Sequence, residues 1–95
     1  MITAIVFVKT DVARIREVAE AIAELDGVSE VYSVTGDLDL VALVRVRGHD
    51  QIAEVVADQL NKVPGVVDTQ THIAFRTHSR HDLEAAFSLG ATDAD

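Results

Sequence analysis

Apolar residues follow two different spacings along the chain. Met1 to Lys9 (MITAIVFVK) is rich in β-branched residues and apolar at successive positions, the pattern of a strand covered on both faces. Thr10 and Asp11 then offer side chains that can cap a helix, and Val12, Ile15, Val18, Ala19, Ile22 and Leu25 recur at three- and four-residue steps. Those steps put them on one helical face. Glu17, Glu20 and Glu24 fall on the opposite face, and Gly27 suits the left-handed backbone that ends a helix. Val28 to Thr35 (VSEVYSVT) reads as a second strand, Gly36-Asp37 as a tight turn, and Leu38 to Arg47 (LDLVALVRVR) as a third strand antiparallel to the second. On the third strand Leu38, Leu40, Ala42, Val44 and Val46 share one face, and Asp39, Val41, Leu43, Arg45 and Arg47 the other. A second helix is expected after Asp50, with Ile52, Val55, Val56, Leu60 and Val63 as its apolar stripe and Pro64-Gly65 as its stop. Val66 to His78 (VVDTQTHIAFRTH) reads as the fourth strand.

The order β-α-β-β-α-β contains an internal repeat. Val18 to Gly27 (VAEAIAELDG) can be laid on Val56 to Gly65 (VADQLNKVPG), each copy being a helix end, a glycine and a β-branched strand. Two such halves predict an α+β fold, a ferredoxin-like βαββαβ sandwich whose four-stranded antiparallel sheet carries both helices on one face. Residues 1–78 form that domain, and residues 79–95 form a C-terminal tail with one short helical pattern around Asp82 to Phe87. Two helices cover only one side of the sheet, yet the strands are apolar at both parities, as in Ile5 and Phe7 against Ala4 and Val6. The second face therefore needs a cover. A second copy of the same sheet supplies it most simply, which predicts a face-to-face homodimer with larger rings built on it.

Composition narrows the function. The 95 residues include no cysteine, which removes disulfide frameworks, thiolate metal sites and cysteine nucleophiles and fits a cytoplasmic protein. Net charge is −8 with only eight Lys and Arg, a poor match to a phosphate backbone, so direct nucleic-acid binding is not expected. There is no apolar run of about 18 residues, so no membrane-spanning helix is expected. There is also no basic region ahead of the apolar start to mark a signal peptide.

Candidate chemistry gathers at Thr35-Gly36-Asp37-Leu38-Asp39-Leu40. Gly36 allows a sharp turn that presents amide N–H groups to a carboxylate, and Asp37 and Asp39 can receive an ammonium group. An amino acid carries both charges on one small head group. The same Gly-Asp pair also serves as an ordinary hairpin turn. Asp39 stands out more, because a carboxylate early in an apolar strand is disfavoured unless an edge position or an arginine accounts for it. Thr69, Gln70 and Thr71 form a second polar cluster, although threonine is itself a good strand former. His72 and His78 lie roughly 20 Å apart along one strand, too far to share an ion. His78 and His81 have a possible ligand spacing with Asp82 and Glu84 nearby, but there is no second pair to complete a metal site. No Ser/His/Asp arrangement, nucleophile motif or phosphate loop is present, so neither catalysis nor a cofactor is expected.

Taken together, Val31 to Leu40 (VYSVTGDLDL), Leu60-Asn61-Lys62-Val63-Pro64-Gly65-Val66 and Thr69-Gln70-Thr71 resemble the effector-binding domain of the Lrp/AsnC transcription regulators, a domain for regulation of amino-acid metabolism. The resemblance runs from about Met1 to His78. It implies dimers of ferredoxin-like domains that assemble into octameric or similar rings, with amino-acid effectors bound between dimers near the hairpin. Carried over by motif, Gly36, Asp37 and Asp39 would line that pocket, with Thr69 and Thr71 contributing from the last strand. Regulators of this family usually carry an N-terminal helix-turn-helix, whereas Met1 here opens into the first strand. The expectation is a stand-alone effector domain that senses an amino acid or acts through a full-length regulator of the same family. Leu38 stands where the family often has an aromatic residue, which alters the pocket.

Two readings from other classes compete. One is a small dimeric α/β-barrel enzyme of the monooxygenase type, for which mid-strand His72 is the candidate haem ligand. The other is an assembly module whose hairpin binds nothing. Copper chaperones are set aside because they need a cysteine pair, and RNA-recognition domains because they need sheet aromatics that the third strand lacks.

Overall fold

The first strand to leave the N-terminus occupies the middle of the sheet. In the computed structural model, which describes residues 1–78, β1 (Ile2–Thr10) pairs on one side with β3 (Leu40–Val46) and on the other with β4 (Val66–Ala74). With β2 (Val28–Ser33) beyond β3, the four-stranded sheet has the order β2-β3-β1-β4, and every neighbouring pair is antiparallel. Ile2 faces Val46 and Val8 faces Leu40 across one ladder, while Thr3 faces Ala74 and Val8 faces Thr69 across the other. This is the ferredoxin-like arrangement the repeat predicts.

Strand parity sets the core. Ala4, Val6 and Val8 of β1 and Leu40, Ala42 and Val44 of β3 are completely buried beneath the helices. From above they meet Val18 and Ile22 of α1 (Ile15–Ala23) and Ile52 of α2 (His49–Ala53), together with Val55, Val56 and Leu60 from the continuation of α2. Ile15, Ala19, Leu25 and Val63 pack against this cluster half-buried. Val12 departs from the expected stripe and is 79% exposed. It lies in a 3-10 turn, Val12–Arg14, ahead of α1, where three residues per turn rotate it off the buried face. The amide of Ala13 donates to Asp11 Oδ1 at 3.0 Å, so the cap expected from the sequence is formed.

The second helical segment changes its winding twice. It starts at His49, ahead of Asp50, because the Gln51 carboxamide reaches back and accepts from the amides of Arg47 (2.8 Å) and Gly48 (3.1 Å). It then widens into a π-helical stretch, Glu54–Gln59, and tightens into a 3-10 turn, Leu60–Lys62. Among the described residues no helix is long and apolar enough to cross a membrane.

The repeat appears as reciprocal packing. A β-carbon on Gly27 (φ 94°) would lie 2.9 Å from Val55 Cγ2, and one on Gly65 (φ 101°) would lie 2.6 Å from Val18 Cγ2. Each helix thus packs on the glycine that closes the other. The sequence repeat aligns Val18 with Val56, so the contact at Val55 is offset by one position, and that offset falls within the π-helical stretch.

Strand ends are shorter than the apolar pattern suggests. β4 stops at Ala74, which faces Thr3 near the start of β1. β2 and β3 stop at Ser33 and Leu40. Beyond them the Val34 amide donates to the Asp39 carbonyl (3.0 Å), so the connection is a four-residue loop, 35–38, and not a two-residue turn at Gly36-Asp37. The short helical pattern around Asp82 to Phe87 lies outside the described residues.

Away from the helices the sheet shows its other parity. Ile5, Phe7, Val41 and Leu43 form a half-buried apolar centre, flanked in register by Glu30 and Tyr32 on β2 and by Gln70 and His72 on β4. The Phe7 and His72 rings meet edge to face, 5.3 Å between centroids.

Candidate functional site

The hairpin between β2 and β3 is held by the end of β1. The Asp39 amide donates to the Val8 carbonyl at 3.1 Å, continuing the β1–β3 ladder by one bond. Its carboxylate turns back along β1, where Oδ2 accepts from the Thr10 amide at 2.8 Å and lies 3.5 Å from the Thr10 hydroxyl. Thr10 is only 5% exposed. Its amide sits where the β1–β4 register shifts, between Lys9 and Thr10, and a buried donor at such a break needs a partner. Asp39 supplies it. An edge position or an arginine is therefore not what accounts for this carboxylate; the partner is the backbone of β1. Lys9 adds a second tie, its Nζ donating to the Asp37 carbonyl at 3.1 Å.

The tip beyond these ties is open. Gly36 has φ 111°, in the left-handed region, and a β-carbon there would meet no atom within 4 Å. Thr35, Gly36 and Asp37 are exposed, while Leu38 and Asp39 are half-buried. The loop is thus fixed at its base and presents backbone and a carboxylate at its tip.

Thr69 and Thr71 stand elsewhere relative to this loop. Thr69 faces Val8 from the β4 side while Leu40 faces it from the β3 side, so two strand spacings, about 10 Å, separate Thr69 from the base of the hairpin. Both lie at the same end of the sheet. The Thr69 hydroxyl donates to Asn61 Oδ1 at 2.7 Å, joining β4 to the 3-10 turn above it. Thr71 faces Val6, about 7 Å further along the strand, and is exposed. The structure therefore groups Gly36, Asp37 and Asp39, sets Thr69 on the same rim and leaves Thr71 outside it.

Three residues bear on the site without having been singled out for it. Lys9 ends an otherwise apolar strand, and that change of character was its signal. Thr10 reads as a helix cap, and nothing local reveals its bond to a residue 29 positions away. Asn61 carries no sequence signal for its contact with Thr69.

On the open face, the Tyr32 hydroxyl donates to Glu30 Oε2 at 2.8 Å. That hydrogen bond, and next to it partial desolvation and the carboxylate charge, hold the Tyr32 phenol above its ordinary value of 10.0. Among the described residues no group of three or more His, Asp or Glu side chains is placed to hold a metal ion. His81, Asp82 and Glu84 lie outside them.

Comparison with known proteins sets this geometry in a family. The sequence profile described as the Lrp/AsnC ligand binding domain matches residues 3–83. An uncharacterised HTH-type transcriptional regulator of Pyrococcus horikoshii is 44% identical over 62 residues, 65% of this chain and 41% of its own length. The chain spans about half the length, or less, of the curated relatives it matches. A protein of known crystal structure from Thermus thermophilus is 46% identical with a TM-score of 0.80, over 84% of this chain and 100% of that one. A transcriptional regulator of Neisseria meningitidis, solved as a complex with L-Met, shares the fold with a TM-score of 0.72 at 22% identity, over 83% of this chain and 54% of that one. The chain belongs to the Lrp/AsnC ligand-binding domain family.

Proposed function

We propose that this domain binds an amino acid or a related small metabolite at the hairpin end of its sheet, self-associates through the open face, and regulates transcription or metabolism without catalysis. The observation that carries the reading is the hairpin itself. Its base is tied to β1 by Asp39 and Lys9, and its tip presents a left-handed glycine and an exposed carboxylate. Preorganised donors and acceptors of that kind suit a zwitterionic head group, with Gly36 and Asp37 nearest the ligand and Asp39 setting the loop. Thr69 lines the rim, and Thr71 enters only if the ligand extends along β4.

Ile5, Phe7, Val41 and Leu43 make an apolar face that a second copy covers, and rings such as octamers follow when dimers meet through their hairpin ends. The curated relatives are HTH-type regulators, and a full-length regulator of the same family is the natural further partner, in the cytoplasm, with no direct contact to nucleic acid.

A thermal-shift screen against the common amino acids tests the ligand, since binding to the folded state raises stability by about 2.7 kcal/mol at a hundred times Kd. Asp37→Ala is the variant to set beside it, because among the described residues Asp37 is tied to the fold through its carbonyl and not through its side chain. A shift for one or a few amino acids, lost in Asp37→Ala, is the expected result. No shift with any amino acid in folded protein refutes the sensor reading.

A further inference from the structure

The opposite end of the sheet holds a cavity of about 410 Å³, within the range of small-molecule sites. Met1, Val46, Val55 and Gly27 supply its apolar lining. Val46 faces Ile2 at the far end of β1 from Thr10, so about 26 Å of strand separates the cavity from the hairpin. Its polar lining is mixed: Arg45 and Arg47 from the end of β3, Asp26 from the turn after α1, and Gln51, Glu54 and Gln59 from the second helical segment.

Local structure chooses two of these groups. The Gln51 carboxamide oxygen is taken by the amides of Arg47 and Gly48, which leaves its NH₂ group to donate. The π-helical stretch chooses Gln59. The Leu60 amide donates to the carbonyls of both Val55 and Val56, one of them five residues back. In an α-helix the residue one turn beyond Glu54 would be Asp58; the wider turn brings Gln59 round beside Glu54 instead, and both line the cavity. A second carboxylate is thereby exchanged for an amide. The Arg47 guanidinium and two amides remain to receive an oxyanion, the Arg45 charge being felt by Tyr32 on the open face, and Asp26 and Glu54 remain to receive a donor.

We propose that this cavity is a second ligand site, separate from the hairpin, for a small amphoteric molecule that carries an oxyanion together with an amine or ring N–H donor. A free amino acid and a nucleoside monophosphate both have that chemistry, as carboxylate with ammonium or as phosphate with the base's N–H groups. The cavity stands independently of the hairpin reading, and either can fail alone.

Isothermal titration of the full chain with three probe sets tests it: the common amino acids, the nucleoside monophosphates, and inorganic phosphate. The same titrations are run on Arg47→Ala, Gln59→Glu and Asp37→Ala. Arg47 and Gln59 are exposed, so neither variant removes a core contact. The expected result is binding of at least one amphoteric compound, weakened about tenfold or more by Arg47→Ala and by Gln59→Glu, and still present in Asp37→Ala, which removes only the hairpin's own contribution to the isotherm. Which probe set contains the compound identifies the source. The proposal is overturned if no amphoteric compound binds or if both cavity variants bind as the parent does. It is equally overturned if inorganic phosphate binds as tightly, since only guanidinium charge would then be read. Binding lost in Asp37→Ala alone would uphold the hairpin and remove the cavity.

Discussion

The two faces of the sheet are built from the same strands, one residue out of step. On the helix side Ala4, Val6 and Val8 alternate into a layer with Leu40, Ala42 and Val44, and all six are completely buried. On the other side Ile5 and Phe7 alternate outward beside Val41 and Leu43, and none of the four is fully covered. Polarity does not separate the faces, since both are apolar at their centres. What separates them is the cover. One face is sealed by residues of its own chain and specifies the fold; among the described residues the other is left half-covered, and it is the face proposed for association. Burying a Val or Leu side chain is worth about 1.5–3 kcal/mol, so a cover over the open face would add stability that the described residues do not supply.

The same substitution placed on each face tests this division most severely. Leu40→Asp puts an unpaired carboxylate into the sealed layer and is expected to abolish folding, read as loss of the cooperative thermal transition. Leu43→Asp is expected to leave a folded chain whose mass, by light scattering, falls to that of a monomer. If both chains unfold, or if Leu43→Asp keeps the parent's mass, the division is wrong. A smaller effect comes from truncation within the sealed layer. Leu60→Ala removes a completely buried side chain and is expected to cost about 2–5 kcal/mol in denaturant unfolding. Leu43→Ala in dilute, monomeric protein should cost clearly less.

Asp39→Ala comes next, at about 1.5–3 kcal/mol, because it removes a charge-assisted bond and leaves the Thr10 amide unpaired. Asp37→Ala, at the exposed tip, should be close to neutral by the same measurement. The smallest effect is local to the open face. The Tyr32 phenol donates to Glu30, so its ionised form loses that bond and meets the carboxylate charge, which raises its pKa. Glu30→Gln should move the phenol titration, followed by ultraviolet absorbance, downward. The reading is unambiguous because Tyr32 is the sole tyrosine and there is no tryptophan. An unmoved titration would show that the Tyr32–Glu30 bond does not persist in solution.

Much of this was legible in the sequence because periodicity reports burial directly. Val18, Ile22, Ile52, Val55, Val56 and Leu60 announce two helix faces, and Leu38 to Arg47 announces a strand with two distinct sides, of which Leu40–Val46 forms the ladder. The repeat of Gly-Val after each helix gave the topology. Legibility ended where a residue acts across the chain. Asp39 looked out of place in its strand because its partner, Thr10, lies on a strand formed 29 residues earlier. Val12 fitted the helical spacing but falls in a turn of different winding. The π-helical stretch left no trace in an apolar pattern that an ordinary helix fits equally well. At the candidate site the hairpin was visible through Gly36 and Asp37, while Lys9 and Asn61 act through contacts that depend on the assembled sheet.

The position of β1 bears on how the chain is made. Thr3 faces Ala74 and Ile5 faces His72, so β1 must wait for β4, the strand of the sheet made last, before its second edge is closed. A chain that has grown only to the end of β3 can form the β1–β3 ladder but still offers an unpaired strand edge along apolar residues, a template for pairing with neighbours. Contacts of such sequence separation form slowly. Completion of the sheet is therefore a late, all-or-none event, and truncation anywhere before β4 should yield aggregation in place of a smaller domain.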